Sequence, residues 1–388
     1  MRIALLTDGI YPFVIGGMQK HSYYLAKYFA AKSVHVDLYH TNCTQNELER
    51  SGIFSSEERK FIHAINIAFP KMTRFPGHYL KESYLFSQYI LEEFLKRPPV
   101  NFIYAKGFCG WKMLEERATG RLNSDIPMGV NFHGYEMFQL QPSFGSELRS
   151  RFLLRKPVMY LVKNADHIFS YGGKITSIIK DLGVESKKII EIPTGIESSW
   201  LVNSIKPSSS LKRFIFVGRH ERRKGIEELM KVIAKIKGTE NVRFEFVGDI
   251  PLQKRVTSSN IFYHGVITDA QKMRSVLAEA DVLICPSFSE GMPNVILEAM
   301  ACGLAVIATD VGAVSNMVSV ANGSLIRPAD LADLESKIRH FIAMKPEDLD
   351  KMKMVSLAKV KECFLWDNII EKTIKEIAAR ISPLQNDK

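Results

Sequence analysis

Two glutamates eight positions apart, Glu290 and Glu298, frame the stretch "SEGMPNVILEAMACGLAVIAT". A carboxylate accepts hydrogen bonds from neighbouring hydroxyls, which suits it to a sugar ring. Pro293 near the first turn and Gly303 at the stop mark out a helix between them. The first turn of a helix leaves amides unpaired and carries partial positive charge, so it attracts anions. Glu298 lies about one turn in, and helical side chains lean back toward the N-terminus. Both carboxylates can therefore face one crevice, an arrangement fit for two sugars joined by phosphates. The plainer alternative leaves Glu290 complementing the helix dipole and Glu298 on a solvated face. Against it, Val295, Ile296, Leu297, Ala299 and Met300 leave little polar face.

A second anion site follows in "FIFVGRHERRKGIEELM". A strand ends at Gly218 and presents Arg219, Arg222, Arg223 and Lys224. Guanidinium forks and a mobile ammonium both suit phosphate oxygens, and the place directly after a strand favours Arg219 and Lys224. Nearer the start, "DGIYPFVIGGMQKH" puts Gly16 and Gly17 before a helix, where the backbone can approach an anion closely. The pair is not a GxGxxG fingerprint, and its other reading is a turn. "NFHGYE" places His133 at a strand end, with Glu136 just beyond.

These residues need elements to hold them. Strand-like runs "RIALLT", "VHVDLYH", "FIYAKG", "PMGVNFHG", "DHIFSYGG" and "KIIEIPTG" alternate with helical patterns, the first with His21, Tyr24, Leu25 and Tyr28 on its core face. The Ser-rich segment 203–213 reads as a linker. The alternation then restarts with "FIFVGR", "VRFEFVGD", "NIFYHGVIT", "DVLICPS" and "LAVIAT". Two such series predict an α/β protein of two doubly wound, Rossmann-like parallel-sheet domains. The 388 residues are enough for two cores, and 46% hydrophobic with 24% charged residues is a globular composition. Five scattered cysteines without a CxxC predict reduced thiols in a cytoplasmic protein. No run is long enough to span a membrane, and no signal peptide is read at the start. The net charge of +10 points to an anionic partner.

Taken together, the E-x7-E of Glu290 and Glu298, "GRHERRKG", "VGD" at 247–249, "YHGVIT" at 263–268 and the Gly16–Gly17 pair resemble the retaining glycosyltransferases of the GT-B fold, family 4. The resemblance covers nearly the whole chain. It implies an acceptor domain over 1–204, a nucleotide-sugar donor domain over 205–365, and a C-terminal helix within 366–388 crossing back to the first. It implies that Arg219 and Lys224 hold the diphosphate, with Gly16 and Gly17 opposite. Glu298 would take the ribose, Glu290 the donor sugar, and the backbone of Gly291, Met292, Pro293, Asn294 and Val295 the sugar and phosphates. His133 would sit near the anomeric centre. The catalytic set is thus His133, Glu290, Arg219 and Lys224. The implied reaction transfers a hexose-type sugar with retention to a glycan or lipid-linked acceptor, in polysaccharide or glycoconjugate synthesis.

Nucleotide-sugar epimerases and hydrolases share the fold, but E-x7-E with this GRxxxxKG spacing favours transfer. Nucleic acid is not an expected partner, because basic and acidic residues mix along the helices and aromatics fall at core spacing. No cofactor or metal is expected. The one DxD, Asp348 to Asp350, follows Pro346 and reads as a helix start. Residues 69–99 (with Lys71, Arg74 and Lys81) and 147–163 (with Arg149, Arg151, Arg155 and Lys156) mix basic residues with aromatic or apolar ones. Besides packing as ordinary helices, they could rest peripherally on an anionic membrane.

Overall fold

The structure, a computed structural model, describes residues 1–73, 75–122, 125–236 and 241–381. Among them the first seven strands are β1 (Arg2–Leu6), β2 (His35–His40), β3 (Ile62–Asn66), β4 (Phe102–Lys106), β5 (Met128–Asn131), β6 (His167–Ser170) and β7 (Ile189–Glu191). They form one sheet in the order β3-β2-β1-β4-β5-β6-β7, parallel throughout. The second series is β8 (Lys212–Val217), β9 (Val242–Val247), β10 (Ile261–Gly265), β11 (Val282–Cys285), β12 (Ala305–Thr309) and β13 (Gly323–Ile326). It forms a second parallel sheet, ordered β10-β9-β8-β11-β12-β13. Helices flank both, as the alternating pattern predicts.

Central strands such as β4, β11 and β12 are buried along their whole length. This is why they read as continuous apolar runs. Two strands absent from the sequence reading, β3 and β13, lie at sheet edges. In β3 only Ile62 and Ile65 are buried, while His63 and Asn66 face outward. The other, "GSLI", is four residues long and opens on glycine.

The segment 203–213 is not a slack linker. The Ser208 amide donates to Asp350 Oδ1 at 2.9 Å, and Lys353 Nζ donates to the Lys206 carbonyl at 2.6 Å and to buried Asp281 at 3.0 Å. Its last residues, Lys212 and Arg213, already belong to β8. The chain returns to the first sheet beside the outgoing strand end. The Ile196 amide donates to the Phe364 carbonyl, and the Trp366 amide to that of Ile196.

Helix Trp366–Ala378 then buries Trp366, Ile369, Ile370 and Ile377 against the face occupied by helix Gly17–Ala31. Ile374 is half-buried there. Residues 382–388 of the proposed crossing segment lie outside the described residues. On helix Gly17–Ala31, His21, Tyr24 and Leu25 are buried as expected, while Tyr28 is half-buried and stacks on Trp366 at 5.8 Å. All five cysteines are free. Among the described residues no helix is long and apolar enough to cross a membrane.

Candidate active site

In each sheet the strand order reverses once, between β1 and β4 and between β8 and β11. Crevices open at the carboxyl ends of strands at such switch points. In the second sheet the loops after β8 and β11 meet there. Lys224 Nζ donates to Glu290 Oε1 at 2.7 Å, and Arg223 Nη1 lies 3.5 Å from Glu290 Oε2. Burial alone would raise the Glu290 carboxyl, but the charges of Lys224 and Arg223 outweigh it and hold it below its usual range.

Arg222–Lys224 is a single 3₁₀ turn, in which successive side chains point about 120° apart. Arg222 therefore pairs with Glu228, Arg223 with the Ser289 carbonyl and Glu290, and Lys224 with Glu290. Arg219 is not brought to this cluster. Its side chain is 78% exposed and pairs with Glu221 at 2.9 Å.

Helix Asn294–Ala301 starts at Pro293 with no side-chain cap. The Ile296 amide donates to the Pro293 carbonyl at 3.1 Å, which leaves the Asn294 and Val295 amides without an acceptor in the helix. Asn294 Oδ1 is buried and has no hydrogen-bond partner. Met292 is buried, its sulfur receiving the Thr194 amide at 3.3 Å, and Val295 is half-buried. Glu298, one turn further in, does not face open solvent. Lys20 of the first domain donates to its Oε1 at 2.7 Å and lies 5.6 Å above the Trp200 ring.

The first domain meets this wall closely. A Cβ on Gly291 would fall 1.7 Å from the His133 carbonyl oxygen, so the backbones touch where no side chain fits. A Cβ on Gly17 would fall 2.4 Å from His133 Nε2. Gly16 meets only the flexible end of Gln19. Gln139 clamps Glu290 by its main chain, donating to the carbonyl at 2.7 Å and accepting from the amide at 3.3 Å.

His133 Nδ1 lies 3.0 Å from the Tyr171 hydroxyl. Burial, helped by the charge of Lys106, lowers its imidazole to about 3, so it is neutral at pH 7. Beside it a cavity of ≈ 390 Å³ is lined by Asp8, Lys106, His133, Glu136 and several aromatics. Lys106 is fully buried between His21 Nδ1 at 3.0 Å and Asn131, and burial pushes it down to about 7.

The sequence reading thus placed Glu290, Lys224, His133, Gly17, Gly291 and Glu298 in one cleft. It passed over Lys20, Gln139 and Lys106, and preferred Arg219 to Arg223. Lys106 had a signal, a lysine ending an otherwise apolar strand. Lys20 and Gln139 are 278 and 151 positions from their partners, which local spacing does not reveal. The DxD lies on helix Pro346–Cys363, where Asp348 pairs with Lys351 and Asp350 holds Ser208.

Two parallel doubly wound sheets with a cleft between them define the GT-B fold. Residues 15–200 match the family described as Glycosyltransferase Family 4, and residues 211–344 match Glycosyl transferases group 1. The chain belongs to this group 1 family of glycosyltransferases. It is similar to the putative teichuronic acid biosynthesis glycosyltransferase TuaC of Bacillus subtilis, 36% identical over 141 residues. That match spans 36% of this chain and 36% of the relative's length. Sucrose-phosphate synthase from Thermosynechococcus elongatus superposes with a TM-score of 0.75 at 20% identity, over 97% of this chain and 98% of that one. Anabaena HepE in complex with UDP-glucose gives 0.67 at 17% identity, over 98% of this chain and 100% of that one.

Proposed function

We propose that the chain transfers a hexose-type sugar from a nucleoside-diphosphate sugar to a glycan or lipid-linked acceptor, with retention at the anomeric carbon. The observation that carries this reading is the Lys224–Glu290–Arg223 cluster beside an uncapped helix start that holds an unpaired buried Asn294 oxygen. The UDP-glucose complex of HepE, a protein of like fold, supports a nucleotide-sugar donor.

In this reading the diphosphate draws Lys224 from Glu290, and exposed Arg219 swings in as a second cation. Glu290 keeps Arg223 and turns its freed oxygen to the donor sugar's hydroxyls. Glu298 takes the ribose, exchanging Lys20 for it. Neutral His133, its Nδ1 held by Tyr171, offers Nε2 to a sugar hydroxyl near the anomeric carbon. The acceptor approaches on the leaving-group face, and the departing phosphate takes its proton. Once the donor has drawn these cations in, they and the helix amides meet the leaving charge in place of a divalent metal.

Donor binding is tested by thermal shift with UDP-, GDP- and ADP-sugars, since a ligand of the native state raises its melting temperature. Glu298→Ala should weaken free nucleoside diphosphate, whereas Glu290→Ala should spare that affinity and damage transfer. Equal losses of nucleotide affinity would refute this division. Transfer in excess EDTA, followed by NMR of the new linkage, tests the rest. A metal requirement or an inverted anomeric centre counts against the mechanism.

A further inference from the structure

Outside the cleft the described surface carries a second concavity. A groove of ≈ 590 Å³ runs between the start of helix His78–Phe94 and residues 144–154. Its lining is mostly apolar and aromatic, with Phe75, Tyr79, Leu148 and Phe152 among it, and it also includes His78 and Arg149. Around it Phe152 is 69% exposed, Phe144 82% and Leu148 46%. Large apolar groups gathered in one exposed place mark an interaction surface.

Three observations say what covers it. The groove and the cavity beside His133 both have Tyr79 in their linings, so they border the same side chain. Lys71, Lys81, Arg149, Arg151 and Lys156 on the same segments are exposed and form no side-chain ion pair among the described residues. Arg155, by contrast, pairs with Glu147 at 2.7 Å. A run of free cations around exposed aromatic side chains is complementary to an anionic lipid surface. The polar groups of that cavity, Asp8, Lys106, His133 and Glu136, suit a hydroxyl-bearing head.

We propose that the acceptor is lipid-linked: its hydrocarbon chain lies in the groove at Phe75, Tyr79, Leu148 and Phe152, its hydroxylated head reaches His133, and the cationic rim rests on an anionic bilayer. This rests on the transferase reading above and narrows its acceptor class. The head-to-tail path runs past Tyr79, so the acceptor need not leave the membrane to reach the cleft.

The test is sedimentation with phosphatidylcholine vesicles, with and without phosphatidylglycerol, at about 0.1 M and about 1 M salt, where the Debye length falls from ~10 Å to ~3 Å. The protein is expected to pellet with anionic vesicles at low salt and to be released by high salt. Each cation near such a surface contributes about 1 kcal/mol, so Arg149→Glu with Arg151→Glu should weaken vesicle affinity at least about tenfold. Phe144→Ser with Phe152→Ser should weaken it similarly. All four side chains are exposed, and UDP thermal shifts, read in parallel, should not move in either double variant.

No pelleting at low salt overturns the proposal, as does binding that survives both double variants. A dimer in vesicle-free solution that the Phe144 and Phe152 changes dissolve would assign the groove to a second copy and likewise overturn it. Absence of vesicle binding by the unaltered protein, with an intact nucleotide shift, sinks this inference alone. Vesicle binding with no shift from any nucleotide sinks the transferase reading instead.

Discussion

The cleft and the rim of the first domain hold their charges in opposite ways. In the cleft, Glu290 is shared between Lys224 and Arg223, and Glu298 is capped by Lys20. Each charge there is at least partly buried and aimed at a partner. On the rim, Lys71, Lys81, Arg149 and Arg151 are exposed and unpaired among the described residues. Directed, desolvated charges recognise a small ligand at fixed distances. Undirected, hydrated charges sum into a field that salt screens. One molecule thus holds paired, directed charges on one side and an unpaired, hydrated set on the other.

The strongest way to break this comparison is to disturb the closeness of the cleft walls. Gly291→Ala puts a methyl group against the His133 carbonyl and should lower turnover by at least about 100-fold, as a misplacement of ~1 Å can. Near-normal kcat would show that the walls part freely during the reaction.

Next in size is Lys224→Ala, which leaves Glu290 buried with Arg223 alone. Because Arg223 still compensates Glu290, the cost should fall below the about 3–5 kcal/mol of an uncompensated buried charge, read as a lower urea midpoint. The Glu290 carboxyl titrates below its ordinary 4.5 in the folded chain. Its pairing therefore stabilises above that value and is lost as pH falls through the folded pKa. The stability gap between wild type and variant should shrink over that acid range. A gap independent of pH would assign the loss to packing.

His133 supplies a pH-dependent contrast within the cleft. Its imidazole protonates near 6.5 when unfolded and near 3 when folded. Stability should thus decline as pH drops from about 6.5 toward 3, because the unfolded chain binds the extra proton. His133→Gln should flatten that decline, and the His133 ring protons should not titrate by NMR near neutrality. A titration midpoint near 6.5 would place the ring in solvent.

Smaller still is Glu298→Ala, whose half-buried bridge to Lys20 contributes about 0.2–1 kcal/mol of stability. Its larger signature is in nucleotide affinity. At the bottom of the scale, the Arg149→Glu, Arg151→Glu pair should leave the urea midpoint within about 0.5 kcal/mol of wild type. A larger drop would mean that the rim takes part in folding.

The helix after Glu290 was legible in the sequence because proline and glycine punctuate it. The central strands were legible because burial on both faces demands unbroken apolar runs. The edge strands β3 and β13 were not, since β3 buries only Ile62 and Ile65 and β13 is four residues opening on glycine, so neither makes an unbroken apolar run. Within "RHERRKG" the charge was plain but its direction was not. A 3₁₀ turn sends Arg223 inward, whereas Arg219, at the strand end, points to solvent. Lys20 and Gln139 drew no notice because their partners lie in the other domain.

Helix Trp366–Ala378 seals the aromatic face of helix Gly17–Ala31, yet it is synthesised after the entire second sheet. At ~5–20 residues per second, the interval from β7 to Trp366 is roughly 10–35 s. Through that time the nascent first domain has its sheet but not its cover, with Tyr24 and Tyr28 awaiting Trp366. The half of the molecule made first is therefore the half completed last, and its open face is where a chaperone would find the growing chain.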